Sequence, residues 1–264
     1  MTTAREQGRL FLVGIGPGDP ELMTCKAVRV LEQTDIWVAP KAKDNGTSNA
    51  VQIAAGQVDL DGKTVLELRF PMKKIHLGRE PDPEVAAGWH QAAAVVQEHL
   101  ARGRDVAFPT LGDPALYSTA FYLLATLQEM NRELKVTIIP GITAMAACSA
   151  RVCSPLGLGD DVVTIVPAAF DDDRLREILQ TFDAVVLMKV FRRMDRITAL
   201  LEELDLVDRA VLIERCGMED QRIYTDIRKT LGRELHYFST LLIRKKEIGP
   251  HAKAQRRKDV NGNG

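Results

Sequence analysis

The sequence predicts an α/β protein: two α/β domains with a ligand cleft between them. Three observations carry this reading. Short apolar runs alternate with helix-periodic segments along nearly the whole chain, the pattern of sheets covered by helices. About ten such runs occur, more than one compact sheet usually holds, which favours two sheets. Gly/Pro-rich turns follow three of the predicted strands, at residues 14–20, 111–114 and 140–143. In open α/β sheets ligands sit beyond the carboxyl ends of strands, so turns from separate parts of the chain suggest one cleft.

In chain order, residues 10–13 form the first apolar run, and Thr24 is placed to cap a helix with Ala27, Val30 and Leu31 on one face. Strands follow at 36–39 and 64–68. An alanine-rich helix spans 85–100, and a strand at 105–108 leads into the breaker-rich segment 109–114, which is expected to lie outside regular structure. A helix at 118–130, a strand at 136–139 and a turn at 140–143 come next, with Thr143 poised to cap a further helix. Strands at 162–166, 184–188 and 210–213 alternate with helical patterns, and two more close the series at 222–226 and 238–243. Such alternation implies mainly parallel sheets. The expected division is 1–116 for the first domain and 117–246 for the second, with residues 247–264 a polar, disordered tail.

Composition narrows the function. The chain has 264 residues, 45% hydrophobic and 27% charged, with a net charge of −1. This is the make-up of an ordinary globular protein, and it offers no global field for nucleic acid or a membrane. The expectation is a cytoplasmic protein acting on a small molecule. Cys25, Cys148, Cys153 and Cys216 form no C-x-x-C pair, so reduced thiols are expected and no metal site. The histidines are scattered, and neither Ser-His-Asp nor Cys-His sets stand out, which disfavours covalent hydrolysis.

Residues 10–19, Leu-Phe-Leu-Val-Gly-Ile-Gly-Pro-Gly-Asp, read as a strand entering a Gly-rich loop. The dinucleotide fingerprint needs glycine at position 19, where Asp19 stands, and no P-loop is present. A ligand loop for something other than NAD or ATP is expected, with a structural tight turn as the alternative. Asp113 reads two ways as well: a turn residue bonding its own backbone, or a receiver of a cationic or hydroxyl-bearing ligand. Arg69, Lys73, Lys74, His76 and Arg79 are interleaved with Phe70, Pro71, Met72 and Ile75, and Lys41 and Lys43 lie after the second strand. Cations among apolar groups suit a large flat acid; a solvated loop is the alternative.

Together the motifs resemble a family. Leu12-Val-Gly-Ile-Gly-Pro-Gly-Asp-Pro20, Thr110-Leu-Gly-Asp-Pro-Ala-Leu-Tyr-Ser-Thr119 and Pro140-Gly-Ile-Thr-Ala144 occur in the order and spacing of the tetrapyrrole methylases. The likeness covers roughly residues 9–246. Phe70-Pro-Met72, Val186-Leu-Met-Lys-Val190, Glu214-Arg-Cys-Gly217 and Tyr237-Phe-Ser239 resemble the branch that methylates C-20 of precorrin-2 or cobalt-factor II in cobalamin synthesis.

The resemblance implies S-adenosylmethionine as methyl donor, a tetrapyrrole substrate, and a homodimer of two-domain chains. It also implies donor contacts at Pro17, Leu111, Gly112, Asp113, Leu116, Thr143, Ala144, Met188 and Cys216. With the basic segments it places substrate at Lys41, Lys73, Lys74 and Tyr117, Tyr117 or water being the candidate proton acceptor. Related uroporphyrinogen methylases carry an Asp near the end of the second strand, where this chain has Ala39-Pro40-Lys41, so a carboxylate base from that strand is not expected. Same-fold methylation of another precorrin carbon, or of RNA, is the rival reading.

Overall fold

A computed structural model of the chain describes residues 6–41, 46–70, 82–167 and 171–246. The chain forms two compact units, Met1–Thr143 and Ala144–Gly264.

The first unit carries five strands: β1 (Leu10–Gly14), β2 (Ile36–Lys41), β3 (Thr64–Arg69), β4 (Val106–Thr110) and β5 (Val136–Ile139), in the order β3-β2-β4-β1-β5. Every pairing is parallel, so all five carboxyl ends share one edge. The helices are α1 (Cys25–Gln33), α2 (Asn49–Ala54), α3 (Pro83–Ala101) and α4 (Ala120–Met130). Thr24 caps α1 as expected, its hydroxyl accepting from the Ala27 N–H at 3.1 Å. One face of the sheet buries Leu10, Leu12, Val38 and Phe108 against Trp89, Val96, Leu123 and Leu127 of α3 and α4. Trp89 stacks on Tyr122, ring centroids 4.7 Å apart, tying those two helices together.

The second unit carries α5 (Ala144–Arg151), β6 (Val163–Pro167), α6 (Asp172–Thr181), β7 (Ala184–Met188), α7 (Met194–Glu203), β8 (Ala210–Glu214), β9 (Arg222–Tyr224) and β10 (Ser239–Arg244). Its sheet runs β6-β7-β10-β8-β9. Leu187, Leu212, Leu241 and Ile243 face a core completed by Leu179, Ile197 and Leu201 of α6 and α7.

Three sequence expectations differ from this architecture. The segment 117–143 packs with the first unit, not the second, because β5 pairs with β1 from Leu10↔Val136 to Val13↔Ile139; the compact units therefore divide after Thr143 rather than after residue 116. The second sheet is mixed: β6–β7 is parallel, while β10 lies antiparallel to β7 and β8, and β9 antiparallel to β8. Pro109 and Thr110 belong to β4 despite the proline. β2 pairs with β4 only at Val106 and Ala107, so at Pro109 no ladder bond on that side is lost. The tail from residue 247 lies outside the described residues.

Candidate active site

In the first unit the three motif loops leave neighbouring parallel strands, β4, β1 and β5, at one edge. Their contact is backbone against backbone. Gly112 N–H donates to the Gly16 carbonyl at 2.7 Å, and Gly16 N–H returns the bond at 3.3 Å. A Cβ on Gly14 would stand 2.6 Å from the Gly141 nitrogen, and one on Gly141 would stand 2.2 Å from the Gly112 oxygen. No side chain fits at either place.

Asp113 completes this knot. One carboxylate oxygen accepts from Ala115 N–H at 2.7 Å, closing its own turn, and the other accepts from Gly141 N–H at 2.9 Å. Asp19 makes the same local bond, accepting from Glu21 N–H at 2.9 Å. Of the two sequence readings, the turn residue is realised at both G-D-P segments. Asp113 goes further by fastening the loop after β4 to the loop after β5.

The remaining candidates of this unit surround the knot. Pro17 is buried, while Leu111, Leu116 and Thr143 are half-buried. Tyr117 is 44% exposed and adopts a left-handed backbone, φ 51°. Its neighbour Ser118 is bonded to Thr110, hydroxyl to hydroxyl, at 2.9 Å. Partial burial pushes the Tyr117 phenol up, so at neutral pH it donates a proton rather than taking one. Lys41 ends β2 opposite Arg69, at the same strand edge as the loops. Lys73 and Lys74 lie outside the described residues.

In the second unit Met188, Thr240 and Ile213 stand abreast, partners in the β7–β10 and β10–β8 ladders, on the face opposite the α6–α7 core. Cys148 of α5 lies beside Thr240 and Cys216 and interacts with both. Met188 and Cys216, expected separately from the sequence, are thus joined through Thr240 and Cys148, which sequence reasoning missed. The interaction with Cys216 and burial push the Cys148 thiol up, whereas the same interaction favours ionisation of Cys216 first. Ala144, at the start of α5, is half-buried.

The carboxyl ends of β7 and β8 meet the start of β10 at one edge. Here Lys189 and Arg215 both take left-handed backbone, φ 63° and 49°, while their N–H groups donate to Ser239 at 3.0 Å and Phe238 at 2.8 Å. Non-glycine residues held this way concentrate at functional sites. On the Arg215 side lies a cavity of about 280 Å³ lined by Glu214, Arg215, Asp220, Arg222, Glu234, Leu235 and His236. Glu214 is buried and accepts from His236 N–H at 2.6 Å and the Tyr224 hydroxyl at 3.1 Å. Burial, then the Arg215 charge, lowers His236.

A family model described as Tetrapyrrole (Corrin/Porphyrin) Methylases matches residues 9–231. The chain belongs to this family. Among curated relatives, a cobalt-precorrin-2 C(20)-methyltransferase of Salmonella typhimurium is 31% identical over 239 residues, 90% of this chain and 97% of that protein. A precorrin-2 C(20)-methyltransferase of a Sinorhizobium species is 35% identical, covering 89% of this chain and 95% of that protein. The crystal structure of uroporphyrin-III C-methyltransferase from Thermus thermophilus, complexed with S-adenyl homocysteine, has the same fold. It is 19% identical with a TM-score of 0.62, over 89% of this chain and 97% of that one.

As a tetrapyrrole methylase this chain needs a set of side chains that tolerates a purine and a sulfonium. The Met188–Thr240–Cys148–Cys216 face fits: it offers apolar and polarizable sulfur surface with one hydroxyl.

Proposed function

We propose that this protein transfers the methyl group of S-adenosylmethionine to the C-20 bridge carbon of precorrin-2, or of its cobalt-bearing counterpart, in cobalamin biosynthesis. The observation that carries the reading is identity of 31% and 35% with two enzymes of that name, across about nine-tenths of this chain and nearly all of theirs. The proposal extends to a cytoplasmic homodimer with no nucleic-acid or membrane partner. Among the described residues no helix is long and apolar enough to cross a membrane.

Pro17, Leu111, Gly112, Asp113, Leu116, Thr143, Ala144, Met188 and Cys216 are each assigned to the donor. When bound, the donor supplies an electrophilic methyl on a positively charged sulfur. What remains for the protein is alignment and exclusion of water, worth roughly 7–11 kcal/mol of barrier when reactants are well oriented. The loop knot serves this by rigidity: backbone contacts at Gly14, Gly16, Gly112 and Gly141 leave no side-chain rotamers to order on binding. Asp113 acts as a positioning residue, holding the Leu111–Leu116 turn through its bonds to Ala115 and Gly141.

Lys41, Lys73 and Lys74 are assigned to substrate carboxylates. Tyr117 is assigned to the substrate as a hydrogen-bond donor, because its raised pKa disfavours the phenolate a base would require.

The test incubates the protein with S-adenosylmethionine and precorrin-2, with and without cobalt, and follows product mass and the methylated carbon. One added methyl at C-20 is expected. Methyl on another carbon, or no product in either arm, would sink the assignment.

A further inference from the structure

Cys216 is buried in a turn that opens at the carboxyl end of β8. The residue before it, Arg215, holds the turn. Arg215 takes left-handed backbone, φ 49°, which a non-glycine residue keeps only where its surroundings fix it. Its N–H donates to the Phe238 carbonyl at 2.8 Å, and its own carbonyl accepts from Met218 N–H at 3.0 Å. Its guanidinium then spans two groups: Nε pairs with Asp220, and Nη1 lies 3.2 Å from His236 Nε2.

His236 meets an N–H donor at each ring nitrogen. Phe238 N–H donates to Nδ1 at 3.0 Å, while the Arg215 guanidinium, which can only donate, stands at Nε2. A neutral imidazole accepts at one nitrogen, and a protonated one accepts at neither. Protonation therefore sets N–H against N–H at both ends of the ring and adds a second positive charge beside Arg215. The other charged groups around the ring are Glu214, which accepts from the His236 backbone N–H at 2.6 Å, and Asp220, Arg222 and Glu234 of the same cavity. Glu214 and Asp220 favour the proton, but desolvation and then Arg215 outweigh them and hold the ring below its ordinary 6.5. The side chain is exposed, so a charged ring has water to turn into and lets go of Arg215 when it does.

We propose that neutral His236 is a positioning residue for the methyl donor: it fixes the Arg215 turn that presents Cys216, and protonation releases that turn. This rests on the assignment of Cys216 to the donor above and adds a pH dependence to that contact. Donor affinity is then greatest where the ring is neutral and falls as pH drops through the His236 pKa, below 6.5. By linkage, a bound donor must in turn lower that pKa.

The experiment measures S-adenosylhomocysteine binding by calorimetry at pH 7 and pH 5, and the His236 pKa by NMR titration with and without that ligand. The His236 signal is assigned by its loss in His236→Asn. The ligand carries no group that titrates between about pH 5 and pH 7. Affinity should fall roughly fivefold from pH 7 to pH 5, the low end of coupling between two sites, and saturating ligand should lower the His236 pKa by about 0.7. His236→Asn keeps a side-chain acceptor but cannot gain a proton, so it should bind with one affinity at both pH values. His236→Lys carries a permanent charge and should bind at pH 7 as weakly as the parent does at pH 5. Parent affinity that is flat with pH overturns the proposal, as does a His236 pKa unmoved by ligand or a His236→Asn variant that weakens as the parent does. If the parent binds no S-adenosylhomocysteine at pH 7, the donor reading fails and takes this role with it. Firm binding at pH 7 with no pH dependence refutes the role of His236 alone.

Discussion

Asp113 and Gly141 are joined by a hydrogen bond of 2.9 Å from the glycine N–H to one carboxylate oxygen. That bond clips the loop after β4 to the loop after β5, while the other oxygen closes the turn at Ala115. Asp113→Ala removes both acceptors. It should lower stability by about 1–3 kcal/mol, the cost of orphaning such donors, and weaken S-adenosylhomocysteine binding more than tenfold. Urea unfolding and calorimetry read the two effects. A variant with reduced donor affinity and unchanged stability would mean Asp113 touches the ligand directly instead of holding the loops.

Gly141→Ala should be more damaging. Its Cβ would meet the Gly112 carbonyl at 2.2 Å, and the obstacle is backbone, which has no rotamer to yield. A loss above roughly 3 kcal/mol, or failure to accumulate as folded protein, is expected. Circular dichroism during thermal unfolding checks it, and a variant as stable as the parent would deny the close approach.

All ten strands were legible from apolar runs and turns, and the residues 184–188 coincide with β7. Local signals suffice there because most runs end close to a glycine, a proline or a helix cap. Topology was less legible. β5 joins the first sheet through its ladder with β1, a pairing that no local signal encodes, and the antiparallel insertion of β10 has the same non-local origin. The short helix α2 was missed because its six residues span too little chain for a periodic pattern. In the site, the glycine loops and Asp113 announced themselves as motifs. Cys148 and Thr240 did not: one sits in an alanine-rich helix, the other in an apolar strand, and only the fold brings them to Met188 and Cys216.

The four thiols should separate into two classes. All are free, Cys25 and Cys153 exposed, Cys148 and Cys216 buried. Titration with a thiol reagent should give two fast equivalents and two that react only slowly until the protein is unfolded. Mildly alkaline conditions should not release Cys148, because its interaction with Cys216 and its burial both hold the thiol protonated. Three or four fast equivalents would contradict the packing of α5 on β10.

Acid should attack the second unit at the end of β10. Asp161 accepts from Leu158 N–H at 2.9 Å and pairs with Lys246 at 3.0 Å and Arg244 at 2.7 Å. These partners, the backbone bond foremost, hold its carboxyl at about 2. Asp183 is lowered as well, by Val162 N–H and then by Lys246. A carboxyl depressed by folding contributes stability that is complete above its unfolded pKa, near 3.8, and disappears as pH falls toward the folded value. The urea midpoint should therefore drop between about pH 4 and pH 2. Asp161→Asn should start lower at pH 7, because Arg244 is then buried without its counter-charge, and its midpoint should fall less steeply with acid. Parallel pH curves for parent and variant would show that this cluster does not govern acid sensitivity.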